Sequence, residues 1–398
     1  MIKYKRSLGG ALTLAVAIGA VAVALPTGAA TAATTAESIA APPATTSDDA
    51  QLRALMHRLT TADGAPGALL QTRDRYGFRV LTSGVADVNS NAPVAPDSRF
   101  RIGSMTKPFV ATVVLQLVGE HRVALDAPVA RYLPDLLRGH DNDDRKITVR
   151  QLLQHTSGLP EYLTFLSLAE ILEDPLAHHD TRDLVNLALA QPRTFRPGED
   201  WRYSNTNYLI AGMLIEKVTG HPYGEEIRRR IIEPLHLRQT SVPGDAAAIN
   251  GPHPRGYVRP GEGAPLMDLT AINPSIAGAS GEVISSASDL NRFLGALIGG
   301  RLLRPAQLKA MMTTHPTGDK GREYGLGLES KELTPCGGVY WGHGGDIFGY
   351  QTAGGATTHG RQATVMANVD PGGTDAQDDD MEAAVQTALC EGRPSHSR

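Results

Sequence analysis

Ser104-Met105-Thr106-Lys107 decides how this chain is read. Residues three apart share one face of a helix, so the lysine amine falls beside the serine hydroxyl. An unprotonated lysine in that position takes the hydroxyl proton and turns the serine into a nucleophile. Taken alone, Ser-x-x-Lys has little specificity, and a serine capping a helix is its ordinary alternative. Here it is the single place where a serine precedes a lysine by three. Tyr203-Ser204-Asn205 and His343-Gly344-Gly345 follow in order, and Tyr-x-Asn and His-x-Gly also occur once each.

Working outward, Val110, Val113, Val114, Leu117 and Val118 continue at helical spacing and stop near Gly119. The serine is therefore expected at a helix N-terminus, where unpaired N–H groups favour a developing negative charge. Pro108 falls in the first turn, where a missing donor costs least. Before the serine, residues 50–63 show helical periodicity, and 68–85 and 99–102 read as short strands. After it the chain reads mostly as helices to about residue 250, the clearest at 149–154, 181–191, 207–219 and 224–235. Residues 278–284 read as a strand and 288–298 as a capped amphipathic helix. Residues 324–328, 338–341, 349–354 and 362–368 alternate like antiparallel strands, and a last helix covers about 378–390. Sheet pieces at both ends with a mostly helical insertion (110–250) between them give an α+β class: an antiparallel sheet flanked by helices.

Lys3, Lys5 and Arg6 precede an apolar run from Leu8 to Leu25, and Ala30-Thr31-Ala32 supplies small residues for cleavage. Residues 1–32 are expected to be a signal peptide, the alternative being a membrane anchor weakened by Gly9, Gly10, Gly19 and Pro26. Residues 33–49 read as a disordered linker, 50–390 as the folded part and 391–398 as a flexible tail. Loss of residues 1–32 removes three positive charges and no negative one, so the formal charge moves from -4 to -7. An acidic balance argues against a nucleic-acid partner. A secreted monomer without a stable membrane anchor is expected. Cys336 and Cys390 are the two cysteines, and an even count in an exported chain suggests a disulfide, with two buried thiols the alternative.

The three motifs, in this order and at these separations, resemble those of the penicillin-recognising serine hydrolases. The branch they are most similar to is the secreted D-alanyl-D-alanine carboxypeptidases, which share a fold with class C β-lactamases. The similarity extends to Phe100-Arg101-Ile102-Gly103, to residues 147–153, to His155-Thr156-Ser157-Gly158-Leu159, to residues 212–217 and to Tyr324-Gly325-Leu326-Gly327-Leu328. Cys336 lies seven residues before His343, as the paired cysteine does in carboxypeptidases of this type. The resemblance implies Ser104 as acylated nucleophile, with Lys107 and Tyr203 as competing bases. It implies Asn205 on the substrate amide and Lys107, and His343 orienting Tyr203 or the substrate. Gly344 and Gly345 would let a strand approach the ligand, and the N–H groups of Ser104 and Asp346 would form an oxyanion hole. The other twelve histidines read as ordinary core or surface residues. His178-His179-Asp180 is the one cluster suggestive of a metal, and a solvated loop explains it.

No Gly-x-Ser-x-Gly, His-Glu-x-x-His or phosphate-cradling Gly-x-x-x-x-Gly-Lys occurs, which removes the rival systems they mark. No metal or organic cofactor is implied. The resemblance implies peptidoglycan stem peptides or other D-alanyl peptides and esters as substrates, with β-lactams as covalent inhibitors or substrates. Esterase, D-amino-acid peptidase and β-lactamase activity are the alternatives within this chemistry, and a non-catalytic sensor the alternative outside it. Two departures bear on substrate. The carboxypeptidases carry threonines after the histidine and an arginine upstream of the cysteine to hold a terminal carboxylate. This chain has Gly344 and Asp346, and Glu329-Ser330-Lys331, in those places. Lys331 is the cation nearest to replacing the arginine, as a point charge without its fork.

Overall fold

Strands whose two faces are both covered carry apolar residues in an unbroken run, and Gly67-Ala68-Leu69-Leu70 is such a run. In a computed structural model, which describes residues 47–137, 146–261 and 263–391, it begins an interior strand of an antiparallel sheet. The strands are β1 (Gly67–Asp74), β2 (Gly77–Asp87), β3 (Ala92–Pro93), β4 (Arg99–Arg101), β5 (Tyr257–Val258), β6 (Met267–Asp268) and β7 (Ile284–Ser286). The C-terminal part adds β8 (His315–Pro316), β9 (Arg322–Tyr324), β10 (Glu329–Glu332), β11 (Val339–Ile347), β12 (Tyr350–Ala356) and β13 (Gln362–Ala367). Nine of them form one sheet in the order β3-β2-β1-β13-β12-β11-β10-β9-β8. The N- and C-terminal thirds thus meet where β1 pairs with β13, Leu69 opposite Met366.

Successive side chains point to opposite faces of a strand, and two cores follow from that. Ala68, Leu70, Val365 and Ala367 pack with Leu52, Met56 and Leu59 of the helix Ser47–Thr61 and with Met381, Val385 and Leu389 of the helix Asp375–Cys390. Leu69 and Met366 point the other way, into the larger core with the helices Thr106–Gly119, Thr206–Thr219 and Ala287–Ile298. The α+β reading with a helical insertion is the architecture found. Phe109 and Phe293 stack at 3.7 Å between ring centroids. Such a pair adds about 0.5–1.5 kcal/mol beyond area burial, and here it locks the helix that follows the serine onto the helix that backs the sheet.

Several local readings change. The N-terminal helix starts at Ser47 rather than 50, with Asp49 buried and bonded to Arg53 and Arg79, so the linker reading ran three residues too far. Residues 278–284 are not a strand: short turns at Gly278–Ser280 precede β7 at Ile284–Ser286. Gly325 to Leu328 form the tight connection between β9 and β10, closed by Gly325 N–H on Leu328 O at 2.7 Å. The helix expected over 224–235 is regular only at Tyr223–Ile227 and then widens over Arg228–Ile232. Cys336 and Cys390 are joined with Cα atoms 5.7 Å apart, tying the approach to β11 to the last helix. Glu391, expected in the tail, pairs with Arg79 at 2.5 Å and belongs to the folded part. Residues 1–46 and 392–398, with the signal-peptide and most of the linker readings, lie outside the described residues. Among the described residues no helix is long and apolar enough to cross a membrane.

Candidate active site

Ser104 occupies the tight turn Gly103–Met105 that runs directly into the helix Thr106–Gly119. Gly103 holds φ at +50°, and a Cβ on it would lie 2.7 Å from Asp346 N and O. Only glycine meets both demands. The turn is thereby pressed against the edge of β11. That edge is open where it matters. β10 pairs with β11 only over Val339–Gly342, whereas β12 pairs with it through to Ile347. Ile347 and Tyr350 flank a two-residue turn and so form a hydrogen-bonded pair, which leaves Asp346 in the alternate phase with its N–H directed away from β12. Asp346 N–H therefore lies on the side of β11 against which the serine turn packs, the side where an oxyanion donor is needed.

Lys107 is fully buried, one helical turn on. Its Nζ lies 2.8 Å from Ser104 Oγ, 2.7 Å from Asn205 Oδ1 and 2.8 Å from Ser280 O. The last two atoms only accept, because Asn205 gives its Nδ2 hydrogens to Glu161 Oε2 at 3.0 Å. A neutral amine satisfies both with its two N–H bonds and leaves its lone pair on the serine hydroxyl. Burial pushes the Lys107 amine down from 10.5 to about 7, against the opposing pull of Glu161, Asp346 and Glu329. Burial drives the Tyr203 hydroxyl the other way, well above 10, opposed in part by its bond with Ser104. Burial thus drives the two competing bases in opposite directions, Lys107 towards its neutral amine and Tyr203 towards keeping its proton.

Asn205 begins the helix Thr206–Thr219, and its orientation comes from Glu161. Glu161 Oε2 accepts from Asn205 N at 2.7 Å as well as from Nδ2, while Oε1 accepts from Leu163 N at 3.1 Å. Sequence reading missed Glu161. Nothing periodic marks it, since it stands in a loop after Pro160 and reaches its partner across 44 positions.

His343 makes no direct bond to Tyr203, one of the two roles expected for it. Its Nδ1 bonds Gly344 O at 2.5 Å and its Nε2 meets the Tyr324 hydroxyl at 2.9 Å, so it does not bond Tyr203, whose ring centroid is 6.1 Å away. Lys107 Nζ lies 4.8 Å from the Tyr203 centroid, over the ring. His155, read from sequence as an ordinary histidine, lies under Tyr203 with ring centroids 4.3 Å apart and bonds Tyr324 through Nε2 at 3.1 Å. The Thr-Ser-Gly that follows it was the available signal. Gly345 is tightly held, since a Cβ would fall 2.0 Å from Ile102 O, while one on Gly344 would meet nothing nearer than 3.8 Å. Gly345 is thus required by its packing against Ile102 and Thr352, whereas the space beside Gly344 is open. Asp346 is exposed, and its Oδ1 accepts from Gln351 Nε2 at 3.1 Å. Lys331 does not reach the serine: it pairs with Glu382 at 2.7 Å and Glu329 at 3.5 Å. Arg322 is likewise tied to Glu329 and Asp319. His178 pairs with Asp245 at 2.6 Å and Asp180 caps the next helix, and no metal-holding group of three ligands exists among the described residues.

A serine bonded to a buried lysine, with a tyrosine beside both and an open strand edge facing them, is the site of a serine hydrolase. The Beta-lactamase family model matches residues 52–388, and the chain belongs to that family. A D-stereospecific amidohydrolase from Streptomyces sp. superposes with a TM-score of 0.78 at 41% identity, covering 84% of this chain and 98% of that one. D-amino acid amidase from Ochrobactrum anthropi, complexed with L-phenylalanine amide, gives a TM-score of 0.75 at 27% identity over 86% and 98% of the two chains. Esterase EstB from Burkholderia gladioli is 37% identical over 164 residues, 39% of this chain and 41% of the esterase. Matches to curated relatives thus span 34–41% of those proteins' length.

Proposed function

We propose that this chain is an exported serine amidohydrolase acting on D-amino-acid amides, esters or short peptides with a free amino group. The observation that carries the reading is the charge around the serine. Glu161 and Asp346 both act on Lys107, while the cations Arg322 and Lys331 are engaged by Glu329, Asp319 and Glu382. A substrate ammonium is welcome in such a site and a terminal carboxylate is repelled. The names of the Streptomyces and Ochrobactrum proteins support the same substrate class.

In this reading Ser104 Oγ attacks the carbonyl carbon as its proton passes to Lys107 Nζ. The oxyanion is received by the N–H groups of Ser104 and Asp346, a type of stabilisation worth about 3–4 kcal/mol of barrier per donor. Tyr203 gives its proton to the leaving nitrogen, Lys107 replaces it, the C–N bond breaks and ammonia or an amine departs. Water then attacks the acyl-serine, releasing the acid and restoring the hydroxyl. β-Lactams would acylate the same oxygen. The charge pattern of residues 1–32 and the Cys336–Cys390 bridge support export to an oxidising compartment.

D-Alanyl-D-alanine carboxypeptidase activity, which the sequence motifs favour, is the second reading and uses the same acyl chemistry. The test is ammonia release from D-phenylalanine amide and from its L enantiomer, run beside D-alanine release from an acylated Lys-D-alanyl-D-alanine peptide. Ammonia from the D-amide alone is the expected result. D-Alanine release without amide turnover would return the assignment to the carboxypeptidase.

A further inference from the structure

We propose that Tyr324 and His155 are positioning residues for acyl transfer, forming with His343 a one-directional hydrogen-bond chain that fixes the Tyr203–Asn205 turn against the oxyanion edge of β11. The direction of every hydrogen in it follows from its two ends. At one end Gly344 O can only accept, so His343 carries its hydrogen on Nδ1 (2.5 Å) and presents a bare Nε2. Tyr324 must then donate to that nitrogen (2.9 Å) and accept with its lone pair from His155 Nε2–H (3.1 Å). At the other end His155 Nδ1 has to accept, and two donors meet it there: Ser204 N–H at 3.2 Å and Asn207 Nδ2 at 3.1 Å. The two ends were assigned independently and agree.

Neither imidazole has a free valence, and His155, Tyr324 and His343 are all buried, the first two completely. Burial also keeps both rings below their ordinary basicity, His343 at about 4, so they are neutral at working pH. A ring locked in this way is poorly suited to moving a proton. It is well suited to holding geometry.

What it holds is specific. Ser204 lies between Tyr203 and Asn205, and Gly344 lies two residues before Asp346, so the chain spans from the proton-transfer side of Ser104 to its oxyanion side. His155 also adopts φ +61°, a left-handed backbone that a residue other than glycine enters at a cost. That backbone sets the ring beneath Tyr203, tilted by 33° to it with 4.3 Å between centroids. The sequence separates these groups by 169 and 19 positions, so the stretches that begin at His155 and Tyr324 do not by themselves show that the two residues meet.

The inference rests on Ser104 as the acylated residue but not on the choice of substrate, and its first readout needs no substrate. Nitrogen NMR of the histidine rings in the wild-type protein at neutral pH should show opposite neutral tautomers, Nδ1–H for His343 and Nε2–H for His155. The Tyr324→Phe variant removes one acceptor and one donor together while keeping the ring. Its kcat is expected to fall about 10- to 100-fold, the cost of sub-ångström misplacement of reacting groups, with KM within about twofold and both histidine signals displaced. A chain that served the fold alone would lower Tm and leave kcat unchanged, which would overturn the proposal. Finding both histidines in the same tautomer, or either charged, would also overturn it, and that readout stands if Tyr324→Phe does not fold. Loss of Ser104 acylation in the wild type would instead mark failure of the underlying nucleophile assignment.

Discussion

Lys107 Nζ sits 2.8 Å from Ser104 Oγ with its two other bonding directions ended on Asn205 Oδ1 and Ser280 O. Those two acceptors dictate where the lone pair of the neutral amine points. The base is thus aimed by groups that never meet the substrate, and each of them is a place where the chemistry can be perturbed.

The pH profile follows from that relationship. The kcat/KM of the wild type should rise through about pH 7 as Lys107 loses its proton. Stability should move in the same direction. Between about 7 and 10.5 the unfolded chain holds a proton on this lysine that the folded one does not, so unfolding free energy climbs across that window, and the penalty is complete below it. Lys107→Met should abolish turnover and flatten this part of the stability profile, read by denaturant melts at pH 6.5 and 9.5. An unchanged pH slope in the variant would contradict the assignment.

Glu161 raises the Lys107 value and orients Asn205 at the same time. In Glu161→Gln the first effect predicts an acid limb displaced to lower pH. The second predicts a loss in kcat/KM of about 10-fold or more, because an amide nitrogen facing Leu163 N or Asn205 cannot accept. The two effects are separated by recording the full pH profile of the variant.

Gly344 and Gly345 are adjacent and alike in sequence, yet their surroundings differ. Gly345→Ala forces a methyl to 2.0 Å from Ile102 O and 2.5 Å from Thr352 Oγ1, and should destabilise by about 2 kcal/mol. Gly344→Ala should melt like the wild type. Thermal unfolding of the pair decides this without any assay of activity.

Reduction of Cys336–Cys390 opens a loop of 54 residues, for which chain entropy alone gives about 4 kcal/mol. The reduced protein should have a lower denaturant midpoint, while acylation of Ser104 at low temperature persists, because the bridge lies on the far core with Leu333 and Leu389.

Residues whose chemistry is carried by spacing were legible in the sequence. Ser104 and Lys107 are one turn apart on a helix, and the apolar runs from Ala68 and from Gln362 place the sheet and its two covered faces. What escaped were groups brought in by tertiary contact. Glu161, His155 and Tyr324 stand in loops or at a strand end, with no periodicity to mark them. Ser280 contributes a backbone carbonyl, which no side-chain pattern encodes. The strand expected at 278–284 failed for a related reason. Gly278, Ala279, Ser280 and Gly281 are all buried against the serine turn and the helix Thr206–Thr219, so their apolar, small-residue character reports packing rather than extension. Tyr324 to Leu328 look like a strand by composition, but Gly327 adopts φ +73° and closes a turn.

The account stands or falls on acyl transfer to Ser104. The most direct measurement is acid quenching during turnover of a D-amino-acid ester, followed by peptide mapping by mass spectrometry. One acyl group should be found on the peptide bearing Ser104 in the wild type, and none in Ser104→Ala or in Lys107→Met. Acylation at any other residue, or full turnover by Ser104→Ala, would contradict it.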